Sequence, residues 1–356
     1  MINLRPILVL CAVTACSAPP RDVPNPAAMP VRSVARTEQS SGTTALLIAV
    51  SPVNDSVVWV SGAQGTFARS TDGGTTWQAG RVNGTDSLQF RDVHAVDANT
   101  AYLLSIGNGS QSRIYKTTDA GRSWTLQFTN PDSAGFYDCM DFWDERRGIV
   151  IGDAIGPEMA ILTTSDGGVR WSRIPPASLP AAQPNEGSFA ASGRCLVTRP
   201  GGHAWIVASN PDRARVLHTA DYGRTWSVDT LPITTRAGVG PQAIGFRDDR
   251  NGIALGGGYQ STPNDVLAAV TSDGGNTWTP RTRPPLATGI WGAVYVPSAS
   301  PPAVVAVGPA GAVWTPNEGE TWIPIDTLNY WSVGFASSRA GWAVGAQGRI
   351  TKLSGF

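Results

Sequence analysis

Six times along this chain a Ser or Thr is followed at fixed spacing by Asp or Asn, then Gly, then Trp. The copies are STDGGTTW at 70–77, TTDAGRSW at 117–124, TSDGGVRW at 164–171, TADYGRTW at 219–226, TSDGGNTW at 271–278 and TPNEGETW at 315–322. Their acidic or amide residues, Asp72, Asp119, Asp166, Asp221, Asp273 and Asn317, stand 47, 47, 55, 52 and 44 residues apart. A period of that length means one supersecondary unit per repeat, and no such unit buries its apolar face alone, so the units must pack on one another. The motif reads as a self-closing hairpin. The hydroxyl and carboxylate accept backbone N–H groups of their own turn, the glycine takes a positive φ, and the tryptophan covers the apolar gap beside it.

Ahead of each copy runs a second pattern: an apolar strand, a polar turn, a Gly- or Ala-led apolar strand, a glycine turn and a short strand entering the motif, as in 140–153, 244–258 and 333–353. β-Branched and small residues bounded by Gly, Asn and Asp, with no helical period, argue strands throughout, about four per unit. The fold class is therefore all-β, a seven-bladed β-propeller with blades near 44–80, 90–128, 137–174, 188–229, 242–281, 289–325 and 331–356. The last unit ends before a seventh motif, and the strand candidate Val31–Arg36 has no partner of its own. Residues 31–37 are expected to supply the outer strand of the last blade, so that the two termini close the ring and no sheet edge is left open.

The repeated turn resembles the Asp box, or BNR repeat, of bacterial sialidases, xyloglucanases, sortilin-type receptors and photosystem II stability/assembly factor-like proteins. Those families carry it on the blade periphery, away from any ligand, which implies a structural role for the six Asp and Asn residues. Over nearly all of residues 31–356 the chain resembles the photosystem II stability/assembly factor-like proteins of heterotrophic bacteria, some of which bear a generic oxidoreductase label. One propeller scaffold hosts many activities, so this likeness speaks to fold first.

The N-terminus adds a location. Arg5, the apolar run 7–13 and small residues before Cys16 read as an export signal over 1–15. Val13-Thr14-Ala15-Cys16 resembles the bacterial lipobox, which implies a lipid anchor on Cys16 in the cell envelope; Ser17 fits outer-membrane sorting, and a plain signal cleaved near Ala18 is the alternative. Residues 16–30, with five prolines after Cys16, read as an extended tether, and 31–356 as a single propeller. The balanced charge, +0 by formal count, points away from nucleic acid and leaves the anchor as the membrane contact. With Cys11 in the signal and Cys16 lipidated, Cys139 and Cys195 remain, on neighbouring innermost strands in an oxidising compartment. A disulfide and two separately buried thiols are both open.

No redox cofactor is expected. Gly238-Val-Gly240-Pro-Gln-Ala243 runs into a strand rather than a helix, no haem attachment motif occurs, and His94, His203 and His218 read as scattered through different blades, with no metal site. Ser172-Arg173-Ile174-Pro175 is superficially like a sialidase motif but follows the third Asp box instead of preceding the first. A glycoside hydrolase would need paired carboxylates near the channel, and Asp141 and Glu186 are the candidates. A binding role fits better, because loops on a rigid scaffold carry recognition. Phe136, Tyr137, Tyr259, Trp291 and Trp331, at blade entrances, form the candidate binding face. The expected function is a non-enzymatic binding or assembly-type scaffold presenting that face to an envelope protein or glycan.

Overall fold

The computed structural model describes residues 34–356. The signal, Cys16 and the tether lie outside the described residues, as do 31–33 of the expected closing strand. Seven four-stranded antiparallel sheets follow one another. Blade 1 comprises Leu47–Pro52, Val58–Gly62, Thr66–Ser70 and Gln78–Arg81. Blades 2 to 6 repeat this meander, and the first strands of all seven pack side by side in cyclic order around the axis.

Second strands such as Val58–Gly62, Ala101–Ser105, Val304–Gly308 and Ala340–Val344 are buried at every residue. Each sheet lies face to face between two others, so its central strands read as unbroken apolar runs rather than alternation. Outer strands such as Gln78–Arg81 are largely exposed.

Each Asp box is the turn between a third and a fourth strand. In the first, Gly74 N–H donates to Ser70 Oγ (2.8 Å), Ser70 Oγ donates to Asp72 Oδ1 (2.8 Å), and Thr76 donates to both carboxylate oxygens, N–H at 2.9 Å and hydroxyl at 2.6 Å. The residue after the Asp donates back to the turn between the first two strands, Gly73 to Ser56 (2.9 Å) and Gly167 to Arg146 (2.8 Å), so boxes and these turns share one face of the ring. The box tryptophans are half-buried. They sit on outer hairpins, where a neighbouring blade covers one side and solvent the other.

Blades are also stitched laterally. The chain's two lysines do the same work: Lys116 donates to the carbonyl of Gly167 in the next blade's box (2.8 Å), and Lys352 donates to that of Gly73 (2.9 Å). Each ammonium lies over an aromatic ring, Tyr102 at 5.0 Å and Trp342 at 5.5 Å, which adds a cation–π attraction.

Blade 7 closes the ring. Its first three strands are Ser332–Ser337, Ala340–Val344 and Arg349–Ser354, and its outer strand is Ala35–Ser40, paired antiparallel from Ala35 opposite Ser354 to Ser40 opposite Arg349. The strand thus extends three residues past the expected 37. Glu38 accepts from Thr351 (2.7 Å), while Gln39 donates to Gly73 O (3.3 Å) and accepts from Trp77 Nε1 (3.2 Å), tying the closing strand to the first Asp box.

Candidate functional site

In these meanders the first and third strands run the same way, so the face opposite the Asp boxes holds the entrances to first strands and the turns between second and third strands. On that face the long connection from blade 3 to blade 4 turns into the ring. Ser192 Oγ donates to Trp291 O (2.6 Å), Ser332 Oγ donates to Ser192 O (3.2 Å), Arg194 reaches Val50 O (2.8 Å), and Ile244 N–H donates to Arg194 O (2.9 Å). Gly193, at φ +70°, lies so close to Asp92 that a Cβ would stand 2.1 Å from its Oδ1. Residues 189–195 therefore plug the axial channel. Cys195 is disulfide-bonded to Cys139 of blade 3, with Cα atoms 6.1 Å apart, and this bond pins the plug's end.

Beside the plug an aromatic cleft of about 280 Å³ opens, walled by Phe189, Tyr259, Trp291 and Trp331 and floored by small residues. Tyr259, 69% exposed, meets Trp291 edge-on at 5.3 Å, and Trp291 meets Trp331 at 4.4 Å. The Arg91 guanidinium lies 5.2 Å from the Trp331 ring centroid and donates to Ala190 O (3.0 Å) and Gln89 Oε1 (3.1 and 3.0 Å). Beside it Asp138 is buried; desolvation, reinforced by Asp153, pushes its carboxyl well above the usual range against the pull of Arg91.

Of the five aromatic residues expected on the binding face, Tyr259, Trp291 and Trp331 line this cleft. Phe136 and Tyr137 do not. Tyr137 is packed against Phe128 (5.8 Å) and burial pushes its hydroxyl up to about 12; the half-buried Phe136 lends its carbonyl to Asp153 N–H (2.9 Å). Phe189, another aromatic at a blade entrance, also lines the cleft, as do Arg91 and Gln242, which nothing in the sequence pattern marks.

The two candidate carboxylates have other work. Glu186 is 1% exposed and grips the Arg215 guanidinium with both oxygens, and Gln183 N–H donates to Oε2 (2.8 Å). That pair anchors the base of the insertion and leaves no oxygen for an incoming sugar. Asp141 lies at the channel mouth on the Asp-box face. Its Oδ1 takes Phe142 N–H (2.8 Å) and pairs with His94 Nδ1 (3.0 Å); its Oδ2 takes the N–H (2.8 Å) and hydroxyl (3.0 Å) of Thr198. Burial raises this carboxyl, but the bonds from His94, Thr198 and Phe142 outweigh it and hold it below the ordinary range. It is a saturated anion that orients His94 rather than a free nucleophile or acid.

The histidines also correct the sequence reading. His203 and His218 stand on adjacent strands of blade 4, Nδ1 to Nε2 at 3.2 Å, in a stack with Trp205. Burial, and the neighbouring His203, push His218 down to about 4, so His218 is a neutral packing element at ordinary pH. Among the described residues no cluster of three His, Cys, Asp or Glu side chains is arranged to hold a metal ion.

No family profile matches the chain. The photosystem II assembly lipoprotein Ycf48 of Synechococcus sp. (strain CC9902) is 27% identical over 220 residues, 62% of this chain and 57% of that protein. The chain thus matches less than two thirds of that relative's length. A solved YCF48 bound to D1 peptide has a TM-score of 0.62 at 18% identity, covering 92% of this chain and 98% of its own; YCF48 from Cyanidioschyzon merolae has 0.66 at 16%, covering 90% and 99%. The chain is thus a seven-bladed propeller similar in sequence to a photosystem II assembly factor and in fold to two solved ones. The GH74 xyloglucanase from Xanthomonas campestris has a TM-score of 0.61 at 13% identity, covering 89% of this chain and 53% of its own, a likeness of fold alone.

Proposed function

We propose that this chain is a non-enzymatic, assembly-type scaffold of the cell envelope that holds a protein partner on the propeller face opposite its Asp boxes. The observation that carries the reading is the aromatic cleft: Tyr259, Trp291 and Trp331, from blades 5, 6 and 7, meet at an open mouth, with most of Tyr259 in solvent. Aromatic side chains that keep exposed area at a rigid concave surface are the usual anchors of recognition. The similar proteins support a protein rather than a glycan as partner, since one is described as an assembly lipoprotein and another was solved with a peptide bound. The anchor belongs to the same proposal, with Cys16 lipidated and residues 16–30 spacing the ring from the membrane.

A photo-crosslinking side chain placed at Tyr259, with Val169 on an Asp-box hairpin as control, tests this in the native host. A discrete protein adduct is expected from Tyr259 and not from Val169, in the membrane fraction for the wild-type leader and in the soluble fraction for Cys16→Ser. An adduct from Val169 alone, or none from either, would overturn the choice of face. Membrane association unchanged by Cys16→Ser would overturn the anchor.

A further inference from the structure

The first strand of blade 5, Gly240–Phe246, pairs Pro241 with Gly256 and Ala243 with Leu255, which leaves Gln242 as the extra residue of a bulge. Such a residue drops out of the ladder and its side chain is re-aimed. Here it lines the aromatic cleft, only 4% exposed. Its Nε2 donates to Gly257 O (3.1 Å), and because a carbonyl can only accept, this bond fixes which end of the carboxamide is nitrogen. The other end, Oε1, is buried and has no donor among the described residues. A buried acceptor without a donor is costly, and proteins keep one mainly where something else is to fill it.

Around this acceptor the cleft is aromatic and small-floored. Gly258 cannot carry a side chain, since a Cβ there would stand 1.9 Å from Gly238 O. At about 280 Å³ the space suits one large side chain rather than a cofactor-sized molecule. Its charge narrows the choice. Arg91 already occupies the Trp331 ring and no carboxylate lines the cleft, so a Lys or Arg would meet repulsion there. A purely apolar side chain would fill the space and leave Gln242 Oε1 unmet.

Building on the protein-partner reading, we infer that the cleft receives an aromatic side chain carrying its own hydrogen-bond donor, an indole or a phenol, from an extended partner segment, with that donor on Gln242 Oε1. The rings of Trp291, Trp331 and Tyr259 supply stacking and edge contacts, and the carboxamide selects for the donor. A site built to bond a donor rejects the analogue that lacks it more sharply than apolar contact alone would.

Short capped peptides differing only at a central Trp, Tyr, Phe or Lys, titrated calorimetrically into the full chain, test the inference. The Trp or Tyr peptide is expected to bind about tenfold or more tighter than the Phe peptide, as follows from leaving a buried acceptor unmet. That ratio should collapse toward one in Gln242→Met, which keeps the side chain's length and removes the acceptor. Gln242→Asn, which retracts it, should do the same if the Met variant fails to fold. Equal binding of Trp, Tyr and Phe, preference for Lys, a ratio unchanged in a folded Gln242 variant, or no binding by any peptide would each overturn the inference. In all four cases a protein adduct at Tyr259 would leave the broader reading standing; failure of both would remove both.

Discussion

At Asp72 the hydroxyl and amide of Thr76 and the hydroxyl of Ser70 donate to an exposed carboxylate and draw it down to about 2, whereas at Asp92 burial pushes the carboxyl up to about 8 against the N–H groups of Met140 and Val93 and the charge of Arg194. The two act on stability in opposite directions. The box carboxylates Asp72, Asp119 and Asp273, all near 2 when folded, favour the fold above the ordinary value of 3.8, and this is lost as pH falls through about 2. Asp92 favours it below 3.8 and this is lost as pH rises through about 8. Melting temperature should therefore fall on both the acid and the alkaline side of a maximum. Asp72→Asn, which copies the natural Asn317, is expected to flatten part of the acid arm. Asp92→Asn should flatten part of the alkaline one. A melting temperature unchanged in slope by either substitution between pH 2 and pH 9 would refute these assignments. None of the Asp92 behaviour was legible in the sequence, because its burial is made by Gly193, which a folded plug brings to it from another blade.

The Asp box is legible because it is local: the side-chain bonds by which Ser70 and Asp72 close the turn span four residues or fewer, and the types that make it are the types that recur. The blade pattern was legible for the same reason, and so was the ring's closure by an otherwise unpaired strand. The cleft was half legible. By register Tyr137 matches Tyr330, and both are buried, so a single step along the repeat separates these core rings from Trp331 in the cleft. Gln242 and Arg91 escaped because each is the extra residue at a register shift, a feature of strand pairing that no side-chain pattern announces. The closing strand Ala35–Ser40 carries its own prediction. Deleting it exposes the edge of Arg349–Ser354 and the Gln39 ties to the first box, so the variant should melt lower and associate edge to edge, as seen by size-exclusion chromatography. A monomer with an unchanged melting temperature would show that the three remaining strands suffice.

At the scale of the whole ring, the plug at 189–195 turns a hollow propeller into a spoked one. The sequence does not announce it, because small and polar residues show no period and its partners lie far off, Ser192 on Trp291 and Arg194 on Val50. The Cys139–Cys195 bond, spanning 56 residues, secures its end. Chain-entropy reasoning for a loop of that length gives about 4 kcal/mol, so Cys195→Ser, and equally the reduced wild type, should lose about that much in denaturant unfolding. A loss below about 1 kcal/mol would mean the surrounding bonds hold the plug unaided. The ring's closure has a consequence in time as well as in space. Residues 35–40 are made long before their partners 349–354, so during synthesis the nascent chain carries a waiting strand with no mate. Blades can accrete one upon another as they emerge, but the circle is sealed only once residues 349–354 have emerged. Such late, long-range contacts contribute little to the folding nucleus and much to how slowly the finished protein comes apart.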